Sequence, residues 1–112
     1  GTAIRDYVHV EDLARAHLLA LEALKKTPFL ALNLGTGKGH SVREVLREAG
    51  SVSGKIIRIQ DGPRRQGDPT RLVALPGGAR STLGWTPECS DIQTILKTSW
   101  KWHSSLRKDL SI

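Results

Sequence analysis

The hydrophobic positions in the first quarter of the chain recur with the period of an α-helix. Between residues 11 and 26 the apolar side chains follow helical spacing, at Leu13, Ala16, Ala20, Leu21 and Leu24. Glu11 and Asp12 begin the segment and two lysines end it, which is the charge order that a helix dipole favours. Pro28 cannot continue the pattern. The sequence therefore predicts a helix over residues 11–26.

Two more helices are predicted from their N-terminal caps. Ser41 precedes Glu44 by three positions and Ser90 precedes Gln93 by three, which is the spacing of a capping box. We expect the first of these helices to end near Ala49, where a glycine follows, and the second to end near residue 103. Residues 76–83 predict a further short helix, although the two glycines at positions 77 and 78 lower its propensity.

Short apolar runs predict extended segments between the helices. Residues 7–10 alternate, residues 30–34 and 55–60 are rich in leucine or isoleucine, and residues 71–74 are a further short candidate. A glycine-rich turn over residues 35–40 precedes the second helix, and its glycines predict positive φ angles. The chain contains no internal repeat and no linker. The order of elements predicts one α/β domain, in the form of a mixed α+β lobe.

Composition narrows the class of protein. Of the 112 residues, 38% are hydrophobic and 25% are charged, and no apolar run approaches the roughly 20 residues of a membrane span. We therefore expect neither a membrane partner nor a signal peptide. The single cysteine, Cys89, excludes an internal disulfide and indicates a reducing compartment, which predicts a cytoplasmic location. Methionine is absent and the chain opens in mid-pattern, which predicts a piece of a longer protein.

The net charge of +6 leaves nucleic-acid binding open as one alternative. The basic residues, however, are scattered through predicted helices and loops. The three tryptophans, one tyrosine and one phenylalanine form no stripe among them. A few phosphate groups on a small ligand would use the same charge. We therefore expect no nucleic-acid partner.

Residues 63–68, Pro-Arg-Arg-Gln-Gly-Asp, hold the most suggestive chemistry of the chain. The planar guanidinium of an arginine matches the oxygens of a phosphate two at a time, and the carboxylate of Asp68 can accept hydrogen bonds from sugar hydroxyls. This loop suits a sugar nucleotide, with a solvated surface turn as the alternative. Arg5 lies just ahead of a predicted strand, where it faces either a cleft or a local ion pair.

Other motifs of catalysis and cofactor binding do not occur in the sequence. The turn over residues 35–40 lacks the first glycine and the hydroxyl residue of a Walker phosphate loop, and it does not fit the G-x-G-x-x-G fingerprint. The four histidines and the cysteine show no spacing typical of metal ligands, and no nucleophile elbow is present. We therefore predict no metal site, no cofactor-binding residue and no catalytic residue in this chain.

Several segments together resemble the C-terminal part of the UDP-glucose 4-epimerase family, within the extended short-chain dehydrogenase/reductase superfamily. They are RDYVHVEDLA from Arg5, NLGTG from Asn33, PRRQGDP from Pro63, LGW from Leu83 and WKW from Trp100. The first segment is similar to the extended superfamily as a whole. The arginine loop and the tryptophan-rich last segment point to the epimerases.

The resemblance implies that residues 1–112 are the C-terminal nucleotide-sugar-binding domain of a longer enzyme. In this family a separate N-terminal Rossmann domain binds NAD and carries a Tyr-x-x-x-Lys catalytic pair. The reaction interconverts UDP-glucose and UDP-galactose through a 4-keto intermediate, with hydride moving to NAD and back. Tyr7 is followed four positions later by Glu11, so it does not match that pair. The Rossmann domain is expected to be absent here, the isolated chain to be inactive, and the parent enzyme to be a homodimer.

By the same resemblance, four residues of this chain contact the substrate. Arg5 and Arg65 match the arginines that contact the diphosphate, and Asp68 matches the acid that hydrogen-bonds the uridine ribose. Leu72 matches the position that bounds the sugar pocket. Because its side chain is of intermediate size, the sequence leaves open whether the pocket accepts N-acetylated sugars. Arg64 is assigned to loop structure or to solvent.

Four positions depart from the family pattern. Leu75 replaces an aspartate ahead of the short helix, two glycines follow at 77 and 78, and Ala49 replaces a common aromatic core residue. The loss of a capping acid and the added glycines should destabilise the short helix by roughly 1–3 kcal/mol. Whether these departures impair folding is left open by the sequence.

Three alternatives to the epimerase also stay open. One is a different extended short-chain dehydrogenase, such as a nucleotide-sugar dehydratase or a pentose epimerase. Another is a nucleotide-sugar-binding fragment without catalysis. The third is a nucleic-acid-binding domain that uses the positive charge.

Overall fold

Four helices and a small three-stranded sheet make up the chain, whose computed structural model describes residues 1–109. The strands are β1 (Ile4–Arg5), β2 (His40–Ser41) and β3 (Arg71–Leu72). The helices are α1 (Val10–Ala23), α2 (Val42–Ser53), α3 (Gly77–Leu83) and α4 (Ile92–Asp109). The predicted mixture of helix and strand in one small unit is confirmed. Within the described residues, no helix has the length and apolar character needed to cross a membrane.

Strand β1 lies in the middle of the sheet. It pairs antiparallel with β2, where Arg5 is opposite His40, and parallel with β3, where Arg5 is level with Leu72. The sheet therefore places Arg5 next to the segment that follows the arginine loop of residues 63–68.

The apolar core is small. Helix α1 packs on α3, and α2 packs on α4. Among the residues that the structure describes, the buried apolar cluster consists of Ala16, Ala79 and Trp85. The indole nitrogen of Trp85 donates to the backbone oxygen of Asp12 over 2.8 Å. Because so few apolar side chains are buried, polar contacts must supply much of the free energy that stabilises the packing of the helices.

The carboxylate of Asp12 makes the most important of these polar contacts. It is 1% exposed and accepts hydrogen bonds from the backbone nitrogens of Glu88 and Cys89 (2.9 and 3.0 Å) and from Ser90 Oγ (2.5 Å). Arg15 adds a contact of 3.2 Å. Burial by itself raises the pKa of Asp12, but these hydrogen bonds outweigh it and hold the pKa well below its usual range. One charged group thus joins α1 to the turn that precedes α4.

The strand predicted over residues 7–10 is wrong, because His9 begins a helix. Its backbone nitrogen donates to Ser90 Oγ and its Nδ1 accepts from the backbone nitrogen of Glu11, so His9 is the N-cap of α1. These bonds remove residue 9 from any strand ladder. The strand that pairs in the sheet lies earlier in the chain, at Ile4–Arg5. The helix predicted over residues 11–26 is confirmed, with its regular part at Val10–Ala23.

The strands predicted over residues 30–34 and 55–60 do not form in the described part of the chain. A strand needs a neighbour to complete its backbone hydrogen bonds, and neither segment has one within residues 1–109. In the second segment Ile56 is 97% exposed and Ile59 is 62% exposed. Only the extended segment predicted at 71–74 forms a strand, at Arg71–Leu72.

The capping box predicted at Ser41 is confirmed. Its hydroxyl accepts from the backbone nitrogen of Glu44 (3.1 Å), and the Glu44 carboxylate accepts from the backbone nitrogen of Ser41 (2.7 Å). The helix continues past Ala49 and ends at Gly54, whose φ of 66° is in the left-handed region. The predicted end at residue 49 is therefore too early.

The capping box predicted at Ser90 is wrong by one residue. Asp91 Oδ2 accepts from the backbone nitrogen of Thr94 over 2.9 Å, while the hydroxyl of Ser90 contacts Asp12 instead. The Ser90 hydroxyl donates to Asp12 and accepts from the backbone nitrogen of His9, so it is directed toward α1 and not toward the start of α4. Helix α4 also continues beyond the predicted end near residue 103.

The departures from the family pattern affect the cap of α3 and the packing between α2 and α4. Helix α3 forms in spite of Gly77 and Gly78, but its N-cap is Pro76 and no side chain caps it. Leu75, where an acid was expected, is 83% exposed. Ala49 lies beside a groove of about 480 Å³ between α2 and α4, which Trp100 also lines. The short side chain at position 49 therefore leaves space that a larger residue would fill.

Replacing Asp12 with asparagine should lower the free energy of unfolding at neutral pH by roughly 2–3 kcal/mol, because hydrogen bonds to a charged acceptor are lost. The pKa of Asp12 is lower in the folded state than in the unfolded state, where it is near 4. The ionised carboxylate therefore stabilises the fold above about pH 4 and loses this contribution as acid protonates it. Urea unfolding between about pH 3 and pH 7 measures both effects.

The wild-type stability should fall in acid, and the stability of the Asp12→Asn variant should fall less. Asp61→Asn changes an exposed acid in a loop and serves as the control, which should match the wild type. If Asp12→Asn gave the same pH curve as the wild type, Asp12 would not be the group that joins α1 to the turn before α4.

Candidate functional site

The structure brings three of the four predicted site residues together. Arg5 Nη2 lies 2.5 Å from Asp68 Oδ1, although 63 residues separate them in the sequence. Arg65 Nη2 lies 3.6 Å from the other oxygen of the same carboxylate. Asp68 is therefore between the two guanidinium groups. We call Arg5, Arg65 and Asp68 the arginine–aspartate cluster.

Local backbone geometry explains how the loop part of the cluster forms. Gly67 has a φ of 77°, a conformation that favours glycine, and it lets the chain turn between the arginines and Asp68. The other arginine is held differently. Arg5 belongs to the central strand, and its Nη1 also donates to the backbone oxygen of Ile4 over 2.7 Å. One arginine is thus fixed by the sheet and the other is carried by a turn.

The two arginines also differ in how far they are exposed. The side chain of Arg5 is 23% exposed and that of Asp68 is 30% exposed, whereas the side chain of Arg65 is 84% exposed. Arg65 therefore keeps most of its donors free for a ligand, and Arg5 is already oriented. Two positive groups around one negative group leave a net positive charge, which favours an anionic ligand.

A cavity of about 240 Å³ opens beside the cluster. Its wall is formed by residues 1–3, 62–65 and 68–70, among them Arg64, Arg65 and Asp68. Arg5 does not line this cavity but reaches its wall through Asp68. Leu72, the fourth predicted residue, is 60% exposed and is level with Arg5 in the sheet, but it does not line the cavity either.

Asp6 is a residue that sequence reasoning did not assign to the site, and it positions the strand that carries Arg5. Its carboxylate accepts from the backbone nitrogens of Thr36 and Gly37 (3.0 Å each) and of Ala74 (3.2 Å). The hydroxyl of Thr36 adds a bond of 2.7 Å. Burial raises the pKa of Asp6, but these donors outweigh it and the net pKa is lowered. No local pattern indicates this role, because the donors lie about 30 and 68 residues away.

The glycine-rich turn that resembles a phosphate loop binds this carboxylate of its own chain. Gly37 has the positive φ expected of the turn, at 76°. A side chain at Gly35 would collide with Asp6 and with Ala74, so only glycine fits there. The Asp6 carboxylate is bound by this turn, and Arg5 forms its ion pair with distant Asp68 and not with its neighbour Asp6.

Three side chains with donor atoms meet near the start of α1, although their spacing in the sequence did not indicate it. The ligand atoms of His9, Glu11 and Cys89 lie within 4.8 Å of one another. Both ring nitrogens of His9 are engaged, one by Thr98 and one by the backbone nitrogen of Glu11. Burial, followed by the charge of Asp12, raises the pKa of the Cys89 thiol and favours its protonated form. His9 is therefore engaged as the N-cap of α1, with partners for both of its ring nitrogens.

Known proteins resemble this chain closely in sequence. A family model described as the NAD dependent epimerase/dehydratase family matches residues 1–35. The UDP-glucose 4-epimerase of Corynebacterium glutamicum is 45% identical over 106 residues, which cover 95% of this chain and 32% of that protein. The UDP-glucose 4-epimerase of Streptococcus mutans is 47% identical over 109 residues, covering 96% of this chain and 33% of that protein.

Solved structures give the same result. A UDP-glucose 4-epimerase from Stenotrophomonas maltophila, with bound NAD and formylated UDP-arabinopyranose, has a TM-score of 0.88 at 37% identity. The match covers 96% of this chain and 32% of that one. The enzyme from Bifidobacterium longum, in complex with NAD⁺ and UDP, has a TM-score of 0.85 at 36% identity and covers 93% and 31%.

The chain thus spans about a third of the length of the relatives that it matches. The match includes nearly all of its own residues, both in sequence and in fold. The resemblance expected from the sequence motifs is confirmed: over almost its whole length this chain is similar to a one-third portion of the UDP-glucose 4-epimerases.

Proposed function

We propose that residues 1–112 are the C-terminal nucleotide-sugar-binding part of a UDP-glucose 4-epimerase, and that the arginine–aspartate cluster binds the UDP group of the substrate. The observation that carries this proposal is the convergence of Arg5, Arg65 and Asp68 from distant parts of the sequence. The structure of the relative from Bifidobacterium longum with bound UDP supports the same ligand class.

The diphosphate is the part of the substrate that the two arginines suit. A hydrogen bond between charged groups contributes roughly 1.5–3 kcal/mol, so two such contacts supply a large share of a micromolar affinity of about 8 kcal/mol. Each guanidinium has five donors, so Arg5 can keep its bond to Asp68 and still bind a phosphate oxygen. Its orientation in the strand lowers the cost of ordering it on binding.

Asp68 then has two tasks. It holds the two arginines near each other before the ligand arrives, which offsets their mutual repulsion. Its carboxylate also has acceptor positions left for the hydroxyls of the uridine ribose. Because the arginines share their donors between Asp68 and the phosphates, the ribose hydroxyls supply Asp68 with additional hydrogen bonds as the ligand binds.

The hexose needs a weaker hold than the nucleotide does, since the family reaction presents both faces of the sugar in turn. Leu72 offers an apolar, 60% exposed side chain next to the strand position of Arg5. An apolar side chain donates no hydrogen bond that would fix the sugar in one orientation. We assign Leu72 to the boundary of the sugar pocket on this basis and on the family resemblance.

The turn of this chain that is most similar to a phosphate loop does not suit the binding of NAD. The glycine-rich turn of residues 35–39, which is the part of this chain most like a phosphate loop, already binds the carboxylate of Asp6. A dinucleotide phosphate would be repelled by that negative charge. We therefore assign the NAD site to the N-terminal part of the parent enzyme.

The cytoplasmic location and the homodimer are proposals that rest on the lone Cys89 and on the family resemblance.

The first test of the proposal uses a chimera in which this chain replaces the matching third of the Corynebacterium glutamicum relative. In the chimera, Arg65→Ala should weaken binding of UDP by tenfold or more, because one charge-assisted contact of roughly 1.5–3 kcal/mol is lost. Isothermal titration calorimetry with UDP measures the change.

Arg64→Ala is the matched control, since it removes the same charge from the neighbouring position of the same cavity wall. It should change the affinity by no more than about twofold. Equal losses for the two variants would indicate a general charge effect and would contradict a specific role for Arg65.

The second test concerns catalysis by the chain alone. Its single tyrosine, Tyr7, is followed by Glu11 where a catalytic pair needs lysine, so the chain lacks the group that would accept the hydroxyl proton. The purified chain with NAD and UDP-galactose should therefore form no UDP-glucose, while the chimera should form it under the same conditions. Turnover by the isolated chain would contradict the assignment of catalysis to the missing part.

A further inference from the structure

The space between α2 and α4 is not filled by the side chains of the two helices. A groove of about 480 Å³ lies there. Short side chains line it at Ala49 and Ser53 of α2 and at Ser99 of α4, together with the larger Leu96 and Trp100 of α4. Because protein interiors pack closely and leave few voids larger than a water molecule, a space of this size between two packed helices can hold a ligand.

A third wall of the groove comes from the segment after α2. Gly54 ends that helix with a φ of 66°, and this left-handed turn redirects the chain. Residues 55–57 then lie beside the groove and add Ile56 and Ile57 to its lining. A mostly apolar pocket of about 300–1,000 Å³ with a few polar groups is the usual form of a small-molecule site. The α2–α4 groove, which we define by residues 49, 52–53, 55–57, 96, 99–100 and 103, has these properties.

Trp100 gives the α2–α4 groove an aromatic surface. It is 38% exposed, so part of its side chain is open to a ligand, and Leu96 lies one helical turn earlier in the same lining. An aromatic ring packs on an indole more favourably than its buried area alone predicts, because ring edges are positive and ring faces are negative. An apolar cavity of about 150 Å³ holds one benzene ring, so the groove has room for two fused rings. The lining therefore favours a flat aromatic ligand.

The ionisable groups of the lining are basic. They are Lys55 and His103, and no aspartate or glutamate of the described residues lines the groove. Glu48, the acid next to Ala49, accepts from the side-chain nitrogen of Gln93 over 3.4 Å. Its carboxylate is therefore directed toward the first turn of α4, whereas His103 lies ten residues later on that helix. A ligand with a negative group complements this distribution of charge, and one with a positive group does not.

We propose that the α2–α4 groove binds a small aromatic carboxylate of one or two rings. The ring packs on Trp100 and Leu96, and the carboxylate pairs with Lys55 at the end of the groove where α2 stops. The groove shares no lining residue with the cavity beside the arginine–aspartate cluster. The inference therefore does not depend on the proposed function, and its test does not involve UDP.

The test titrates the full chain of 112 residues with two matched probes, 2-naphthoate and its neutral amide, 2-naphthamide. Isothermal titration calorimetry should show that 2-naphthoate binds and that the amide binds roughly two- to fivefold more weakly, because an ion pair with an exposed lysine contributes only modestly. In NMR spectra of the wild-type chain, 2-naphthoate should shift the indole N–H signal of Trp100. The signal of Trp102, which is 63% exposed and does not line the groove, should stay in place.

Two variants with matched controls locate the site. Ala49→Phe places a ring in the groove and should weaken binding of 2-naphthoate by tenfold or more without lowering the thermal midpoint. Ala14→Phe, at an exposed position of α1, should leave the affinity unchanged. Lys55→Gln should remove most of the difference in affinity between the two probes. Lys101→Gln changes an exposed lysine of α4 outside the lining and should preserve that difference.

Equal affinities of the wild-type chain for the two probes, or no binding of 2-naphthoate, would overturn the inference. Unchanged affinity in a folded Ala49→Phe variant would place the ligand outside the groove and would also overturn it. If that variant does not fold, the NMR titration of the wild-type chain decides, and a shift of Trp102 in place of Trp100 is the contrary result. The chimera should bind 2-naphthoate as the chain does, and loss of binding there would contradict a ligand site in the longer protein.

Discussion

The buried carboxylate of Asp12 holds the two ends of this chain together. It lies in the first turn of α1 and accepts hydrogen bonds from Glu88, Cys89 and Ser90, which lead directly into α4. The backbone oxygen of the same residue receives the indole of Trp85. Because the buried apolar cluster of the described residues consists of Ala16, Ala79 and Trp85, this charged group supplies a link that apolar packing alone would not. Its low pKa is the result of that arrangement, because every donor around it favours the ionised form.

A second carboxylate applies the same principle to the site. Asp6 precedes α1 and binds the glycine-rich turn and Ala74, two residues after β3, so it fixes the segments next to both neighbours of the central strand. Arg5 is the adjacent residue, and its guanidinium therefore reaches Asp68 from a rigid base. The side chain of Arg65 is instead mostly exposed. The cluster thus combines a cation that the sheet positions with a cation that is open to solvent, which suits a ligand held by its phosphates.

The elements that sequence predicts well are those whose signals are local. Helices α1 and α2 follow from periodicity and from caps within a few residues of each other, and the capping box at Ser41 forms as expected. The strands fail for the opposite reason, since residues 30–34 and 55–60 need partners that local sequence does not reveal. Ser90 fails as a cap because its hydroxyl is directed toward two residues distant in sequence, donating to Asp12 and accepting from the backbone nitrogen of His9. In the site, the residue types of the loop at 63–68 indicate a phosphate and sugar ligand by themselves, and the family resemblance assigns the roles of Arg5, Arg65 and Asp68. The partners of Asp6 lie about 30 and 68 residues away, so local sequence does not reveal them.

The central claim is that the arginine–aspartate cluster holds the UDP group of a nucleotide sugar. A crystal structure of the chimera with UDP-glucose tests it most directly. The claim predicts guanidinium nitrogens of Arg5 and Arg65 at about 3 Å from diphosphate oxygens, with Asp68 accepting from a ribose hydroxyl. A diphosphate bound elsewhere in the protein, with Arg5 and Arg65 still paired only to Asp68, would contradict it.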